Sequence, residues 1–335
     1  MNEKINIFNN YENLSDDFKN SIVVIGNFDG IHIGHQKLLA KAKEISTLNN
    51  IPLLIFTFAP HPRKFFNAAE NCNLILPVET KYKLLSYYGA DAILAQNFNL
   101  EFANISAKKF IEEVLFKSLK AKYIIVGDNF YFGKKREGTP EFLKKYAESL
   151  GMNILLHQEI IHEDGCIVSS SNIRKNIASG NVKKAAEYLG YHYFVTSKII
   201  HGDALGRKLG FPTANMDLGD NLKLPYGIYA IKCYLNDGRF YDGVASYGLR
   251  PTVVNNGRAI LESHLFDFNE DIYSKIANII FIDWIRKEEK FANLDQLVNQ
   301  IKHDIDVAKK IIKTTTAKDE IDFLPKLHEY IIQIS

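Results

Sequence analysis

Cysteine is scarce. Cys72, Cys166 and Cys233 are the only three in 335 residues, widely separated and without a Cys-x-x-Cys pair. That argues against a disulfide framework and a cysteine zinc site, and fits a reducing cytosol. Net charge is nearly absent as well: 41 basic against 39 acidic residues leave +2. So balanced a chain has neither the basic stripe of a nucleic-acid binder nor a polybasic membrane patch. Long apolar runs are missing too. The longest, residues 51–59, falls far short of the ~20 residues that span a bilayer. The first residues include Glu3, Glu12, Asp16 and Asp17 and contain no signal-peptide core. No internal repeat or low-complexity tract is present. What remains is ordinary globular material, 46% hydrophobic and 24% charged, which rules out a mainly disordered state. At about 150 residues per domain the length suggests two domains, each able to bury a core. The expectation is a cytoplasmic protein, monomeric by default, with small-molecule partners, no nucleic acid and no membrane.

The two halves differ in pattern. Strands are predicted at 22–25, 52–58, 91–95, 122–126 and 153–157, alternating with helices at 34–46, 79–88, 106–118 and 140–149. That order implies an α/β fold with a parallel sheet covered on both faces. Ligands bind beyond the carboxyl ends of such strands, so the loops after Ile25, Phe58 and Val126 are the places to search. Two helices follow, at 170–178 and 182–189. From about residue 191 strands come without intervening helices, at 193–200, 227–235, 239–247, 259–266 and 276–284, with Asp237-Gly238 as a hairpin turn. This predicts an antiparallel barrel or sandwich, closed by an amphipathic helix at 294–312. The domain boundary is expected near 189–193, giving domains at 1–189 and 190–313. A tail at 314–335 has a short helical pattern and no assigned role.

The first loop reads Gly26-Asn27-Phe28-Asp29-Gly30-Ile31-His32-Ile33-Gly34-His35. Its glycines permit close approach of the backbone to a ligand. A helix starting near Gly34 aims free N–H groups at the strand end, where they favour an anion. His32 and His35 flank that helix start and can stabilise charge developing around a phosphorus centre. No Gly-Lys-Ser/Thr follows, so this is not a Walker A loop. Two solvent-facing turn histidines are the bland alternative. A metal site is a weaker one, because no third ligand is evident. The run Ser169-Ser170-Ser171 is an ordinary helix N-cap that can also hold phosphate, and Arg174 lies one turn further on. Only eight residues are arginine, against thirty-three lysines, which makes arginines inside motifs notable as anion readers.

The extended first motif, with Phe58-Ala59-Pro60-His61-Pro62, resembles the prokaryotic bifunctional riboflavin kinase/FAD synthetase family. Gly127-Asp128-Asn129-Phe130-Tyr131-Phe132-Gly133 resembles another motif of that family, with Tyr131 in place of an expected arginine. Val168 to Arg174 resembles a third, with Ser171 for threonine. Gly206-Arg207-Lys208-Leu209-Gly210-Phe211-Pro212-Thr213-Ala214-Asn215 is similar to its kinase signature, and Leu261-Glu262-Ser263-His264 to its later strand motif. Motifs occur in matching order from about residue 21 to 308.

The resemblance implies a Rossmann-like nucleotidyltransferase domain followed by an antiparallel β-barrel riboflavin kinase domain with a C-terminal helix. It implies ATP, riboflavin and FMN as substrates and Mg2+ as cofactor. On the first domain it implies catalytic roles for His32, His35, Asn129 and Arg174. Gly26, Phe28, Asp29, Gly30, Gly34, Ser169, Ser170 and Ser171 would contact ATP, and Phe58, Pro60, His61 and Pro62 would hold flavin. On the second it implies Glu262 as base for the flavin hydroxyl, Thr213 and Asn215 as Mg2+ ligands, and Gly206, Arg207, Gly210, Phe211 and Pro212 around ATP. Arg250 and Arg286 would contact flavin. The chain departs from the kinase pattern at Ala204, Leu205, Ser246, Tyr247 and Ser274. Two rival readings follow: an adenylyltransferase with a weakened kinase half, or a different His-x-Gly-His nucleotidyltransferase, which the kinase signature speaks against.

Overall fold

A computed structural model describes residues 3–66, 74–202, 205–219, 224–235, 238–249, 259–315, 323–327 and 329–334. The chain forms two compact units, one of residues 1–170 with 326–335, the other of residues 171–325.

The first unit is a parallel sheet. Its strands are β1 (Glu3–Phe8), β2 (Ile22–Ile25), β3 (Leu53–Ala59), β4 (Ala92–Asn97), β5 (Tyr123–Gly127), β6 (Asn153–His157) and a last strand, β13 (Tyr330–Ile334). Their order is β13-β1-β4-β3-β2-β5-β6, with every pairing parallel. Helices α1 (Ile33–Asn49), α2 (Val78–Tyr87) and α3 (Pro140–Ser149) return the chain between strands. The central strands are buried along nearly their whole length. This explains their continuous apolar reading, since a parallel sheet with covered faces has no polar side. Asn50 ends α1 in a left-handed conformation, its N–H returning to the last turn.

Five strands are predicted from periodicity and seven are found among the described residues. β1 is a short strand between β13 and β4 whose alternating Ile5 and Ile7 sit among polar residues. β13 lies in the tail, where a helical pattern is expected. A short helix does form there, at Leu324–Leu327, ahead of the strand. The helix expected at 106–118 is a single α-turn capped by Ser106, continued by a π-helix at Phe110–Ser118.

The second unit carries α4 (Ser170–Ala178), α5 (Val182–Leu189), a six-stranded sheet and α6 (Leu294–Thr314). The strands are β7 (Phe194–Lys198), β8 (Ala214–Asp217), β9 (Gly227–Leu235), β10 (Phe240–Leu249), β11 (Ala259–Leu265) and β12 (Ile276–Lys287). Their order is β7-β12-β9-β10-β11-β8 and every pairing is antiparallel. A bridge between Ile200 and Asn215, with Ser197 Oγ donating to the Asp217 carbonyl at 3.0 Å, brings the β7 end back to β8. The sheet is therefore a nearly closed barrel rather than a sandwich. Two bulges in β12, between Phe281 and Asp283 and between Trp284 and Arg286, bend that strand. Tyr229, Ile231, Leu261 and Phe281 fill the interior. Gly180, at φ +81° between α4 and α5, lies where a Cβ would run into the Trp284 ring, so this turn packs directly on β12.

Candidate active sites

The loop from β2 to α1 reverses direction through three left-handed residues, Phe28, Gly30 and Ile31. Phe28 is buried and folds back over Gly26, whose Cβ would lie 3.1 Å from its ring. Asp29 is buried too. Its carboxylate accepts the Ile75 N–H at 2.8 Å, and its carbonyl accepts the Ser170 hydroxyl at 2.8 Å. These bonds tie the loop to Ile75 and Ser170.

His32 is the N-cap of α1 and His35 stands one turn on. Their rings stack at 3.7 Å with a 23° tilt, and Phe28 lies 5.2 Å from His35. Gly34 makes the stack possible, because a Cβ there would press on the His32 ring at 3.2 Å. Burial pushes His32 down to about 4. It pushes His35 well below the usual histidine range, with His32, His157 and Lys81 adding to the effect. Both rings are neutral at pH 7. The Nδ1 atoms of both are buried and make no hydrogen bond among the described residues. Two neutral imidazoles and the first amides of α1 thus converge on one spot, an arrangement suited to an oxyanion.

The neighbouring loops approach the same strand ends. Phe58 packs in an aromatic group with Phe56, Phe98 and Phe102. Pro60 and His61 follow, and His61 Nδ1 accepts the Arg63 N–H at 3.1 Å as the short helix Pro62–Phe66 begins. Asn129 donates to Glu159 at 2.7 Å. Tyr131, which stands where an arginine is expected, is exposed and has the Arg136 guanidinium 5.2 Å over its ring. Within the second unit, Ser171 Oγ accepts from Arg174 at 3.3 Å on α4. Periodicity does not single out Lys81 on α2, which is buried beside this loop and donates to the Asn27 carbonyl and to Thr57. Nor does it single out His157, whose buried Nε2 has no partner among the described residues. Neither sits in a motif, so only burial reveals them.

In the barrel, the kinase-like motif is part loop and part strand. The Phe211 N–H returns to the Gly206 carbonyl at 2.8 Å. Gly206 admits no Cβ because that carbon would strike the Phe211 carbonyl, and Gly210 sits at φ +87°. Thr213 precedes β8 and Asn215 lies on it, buried. Asn215 pairs in register with Glu262 of β11, and Ser246 flanks Glu262 on the other side. The antiparallel register therefore puts Asn215, Glu262 and Ser246 on one face. Glu288 belongs to the same neighbourhood. It covers Gly248, and its carboxyl is raised by burial, opposed by Arg286 and helped by Glu262.

The opposite face of the same strands opens into a cavity of about 470 Å3. Its walls include Arg207, Thr213, Ala214, Ser263, Ile272 and Tyr273. Pro212 also lines it, and His264 Nδ1 lies 2.9 Å from the Pro212 carbonyl, tying the loop to β11. Arg207 reaches the Tyr273 hydroxyl at 3.5 Å, and Tyr273 stacks on His201 at 3.8 Å. The Ser263 hydroxyl is buried without a partner among the described residues.

Arg286 is held elsewhere. It forms a two-pronged pair with buried Asp304 of α6 at 2.9 and 2.7 Å and donates to the Lys287 carbonyl at 2.9 Å. Arg250 and Ala204 lie outside the described residues.

Imidazoles gathered at a helix start beyond a parallel sheet, and a carboxylate opposite an amide in a barrel strand, describe a double-headed nucleotide-dependent transferase. Residues 14–172 match the family model for FAD synthetase, and residues 189–312 that for riboflavin kinase. The chain is 36% identical to the bifunctional riboflavin kinase/FMN adenylyltransferase of Buchnera aphidicola subsp. Schizaphis graminum, over 87% of this chain and 94% of the relative. Identity is 35% to the enzyme of that description from Escherichia coli K12, over 84% and 90%. A solved structure from Streptococcus pneumoniae, described as a macrolide-efflux protein, superposes with a TM-score of 0.82 at 31% identity, covering 93% of this chain and 99% of that one. Among the described residues no helix is long and apolar enough to cross a membrane. The chain belongs to the bifunctional riboflavin kinase/FMN adenylyltransferase family.

Proposed function

We propose that the chain makes FAD in two ATP-dependent steps, with phosphorylation assigned to residues 190–313 and adenylylation to residues 1–189. The observation that carries this reading is the cross-strand pairing of Asn215 with Glu262 on the same chain as the neutral His32–His35 stack.

In the kinase step the riboflavin 5′-oxygen attacks the γ-phosphorus of ATP and ADP leaves. Glu262 takes the hydroxyl proton. Arg207, Gly206, Gly210, Phe211 and Pro212 shape the ATP site. Thr213 and Asn215 offer neutral hard oxygens, a donor set that suits Mg2+, which keeps most of its shell for water and phosphate. Mg2+ held by this pair would neutralise phosphate charge. Arg286 acts on flavin through the position of β12, since its guanidinium is engaged by Asp304. Arg250 remains a flavin contact by resemblance.

In the second step an FMN phosphate oxygen attacks the α-phosphorus of ATP and pyrophosphate leaves. No protein nucleophile is needed, so positioning and electrostatics dominate. His32, His35 and the α1 amides donate to the oxygens that gain charge. Gly26, Phe28, Asp29, Gly30 and Gly34 shape this pocket. Ser169, Ser170, Ser171 and Arg174 hold the ATP phosphates, and Asn129 with Phe58, Pro60, His61 and Pro62 holds FMN. The same reading makes the protein a cytoplasmic monomer with small-molecule partners and no nucleic-acid ligand.

The test is a chromatographic product assay with ATP and Mg2+, started from riboflavin in one reaction and FMN in another. FAD from both is the expected result. FAD from FMN alone would mean that the kinase departures have silenced that site, and no flavin product would overturn the reading.

A further inference from the structure

We propose that Lys81 is a positioning residue of the adenylyltransferase site, a buried cation that holds the Gly26–Gly30 loop and lends its charge to the triphosphate. The inference rests on the adenylyltransferase reading of the first unit. Lys81 lies one turn into α2, 6% exposed. Its ammonium donates to the Asn27 carbonyl at 3.5 Å and to Thr57 Oγ1 at 3.3 Å, and Thr57 itself donates to the Asn27 carbonyl at 3.3 Å. Lys81 and Thr57 thus grip one carbonyl from α2 and from the carboxyl end of β3. Asn27 is itself exposed, so the grip turns its carbonyl inward and the rest of the residue outward, between Gly26 and Phe28.

A buried lysine normally sits against a carboxylate. Among the described residues no carboxylate lies within ion-pair distance of Lys81. Asp29 is near enough to be felt, but its Oδ1 accepts the Ile75 N–H. The other groups facing Lys81 are His35 on α1, whose neutral form its charge favours, and the Tyr82 ring, 5.5 Å from the ammonium. A positive charge only partly offset by Asp29, beside an anion-seeking helix end, is compensated further when a polyphosphate arrives. Its desolvation is therefore a cost in the free protein that ligand binding relieves. Burial lowers Lys81 to about 8, opposed by Asp29. The ammonium is present below that pH and lost above it.

The experiment uses the full-length protein. FAD formation from FMN and ATP is followed from pH 6.5 to 9.5 for wild type, Lys81→Met and Thr57→Val. FMN formation from riboflavin in the same samples serves as a folding control. Loss of one charge-assisted contact should lower kcat/KM for ATP about 10- to 100-fold in Lys81→Met at pH 7, mostly through KM, with kinase turnover unchanged. The wild-type kcat/KM should fall above about pH 8, and Lys81→Met should lack that limb. Thr57→Val, which removes one acceptor of the ammonium, should move the limb to lower pH and keeps the proposal decidable if Lys81→Met fails to fold. FAD formation by Lys81→Met within two-fold of wild type, or a limb unmoved by either substitution, would overturn the proposal. Absence of FAD formation in wild type would instead overturn the reading on which it rests.

Discussion

Asp304 is the residue whose replacement tests most sharply what Arg286 does. Its carboxylate is 3% exposed and accepts two bonds from the Arg286 guanidinium and one from Gln300 at 2.9 Å. The Arg286 side chain is 18% exposed, so the pair is largely screened from water and fastens α6 to β12. Asp304→Asn keeps the volume and removes the charge, which leaves the guanidinium without its counter-ion. Breaking a buried pair in this way costs about 3–5 kcal/mol, and the partial exposure of Arg286 places this one near the lower end. For a unit of this size about 3 kcal/mol lowers the unfolding midpoint by roughly 6–12 °C. The assay is intrinsic fluorescence during heating. The chain has one tryptophan, Trp284, whose indole donates to the Arg286 carbonyl, so selectively excited tryptophan emission reports this unit. A wild-type midpoint in Asp304→Asn would refute the anchoring role. A raised KM for riboflavin with an unchanged midpoint would assign Arg286 to the flavin directly.

Three further outcomes follow from the first unit. His35→Gln should lower FAD formation from FMN by about 10²- to 10³-fold in kcat while FMN formation continues, a split read from the two product assays. Stability should depend on acid in a defined direction. His32 is held down to about 4 in the folded chain and titrates near its ordinary value when unfolded, so its contribution is full above about 6.5 and is lost as pH falls toward 4. That loss approaches 3 kcal/mol, and urea midpoints measured between pH 7 and 4 should fall accordingly, less steeply in His32→Gln. Deleting residues 326–335 removes β13 and bares the paired edge of β1. The truncated chain should scatter more light on concentration, because an unpaired parallel edge recruits other chains, while its kinase activity persists.

Much of the first unit is legible in the residues themselves. The strands β2 to β6 announce themselves because a doubly covered parallel sheet needs apolar residues at every position. Gly26 and Gly34 mark places where the Phe28 ring and the His32 imidazole crowd the position of a Cβ, and Gly30 takes a left-handed turn. The kinase signature is legible as a motif, but no strand is predicted within it. Its Ala214–Asp217 stretch is a strand, and four residues bounded by a Gly/Pro segment offer too short a run to show a period of two. The tail strand is hidden for a similar reason, since a five-residue edge strand pairs on one side and needs no strong pattern.

The residue order alone specifies the order of the chemistry: a phosphate-seeking histidine loop after the first buried strand, then a Gly/Pro-rich nucleotide motif and a later acidic strand. These features are local in the chain, and their residue types state their needs directly. Packing settles the rest. The Ile200–Asn215 bridge makes the second sheet a barrel, and the β8–β11 register sets Glu262 opposite Asn215. Burial makes His32 and His35 neutral, Asp304 engages Arg286, and the fold buries Lys81 against the Asn27 carbonyl. Each of these depends on which distant residues come to share one low-dielectric space. Desolvation and cross-strand register are properties of the packed chain, and no local period of 2 or 3.6 carries them.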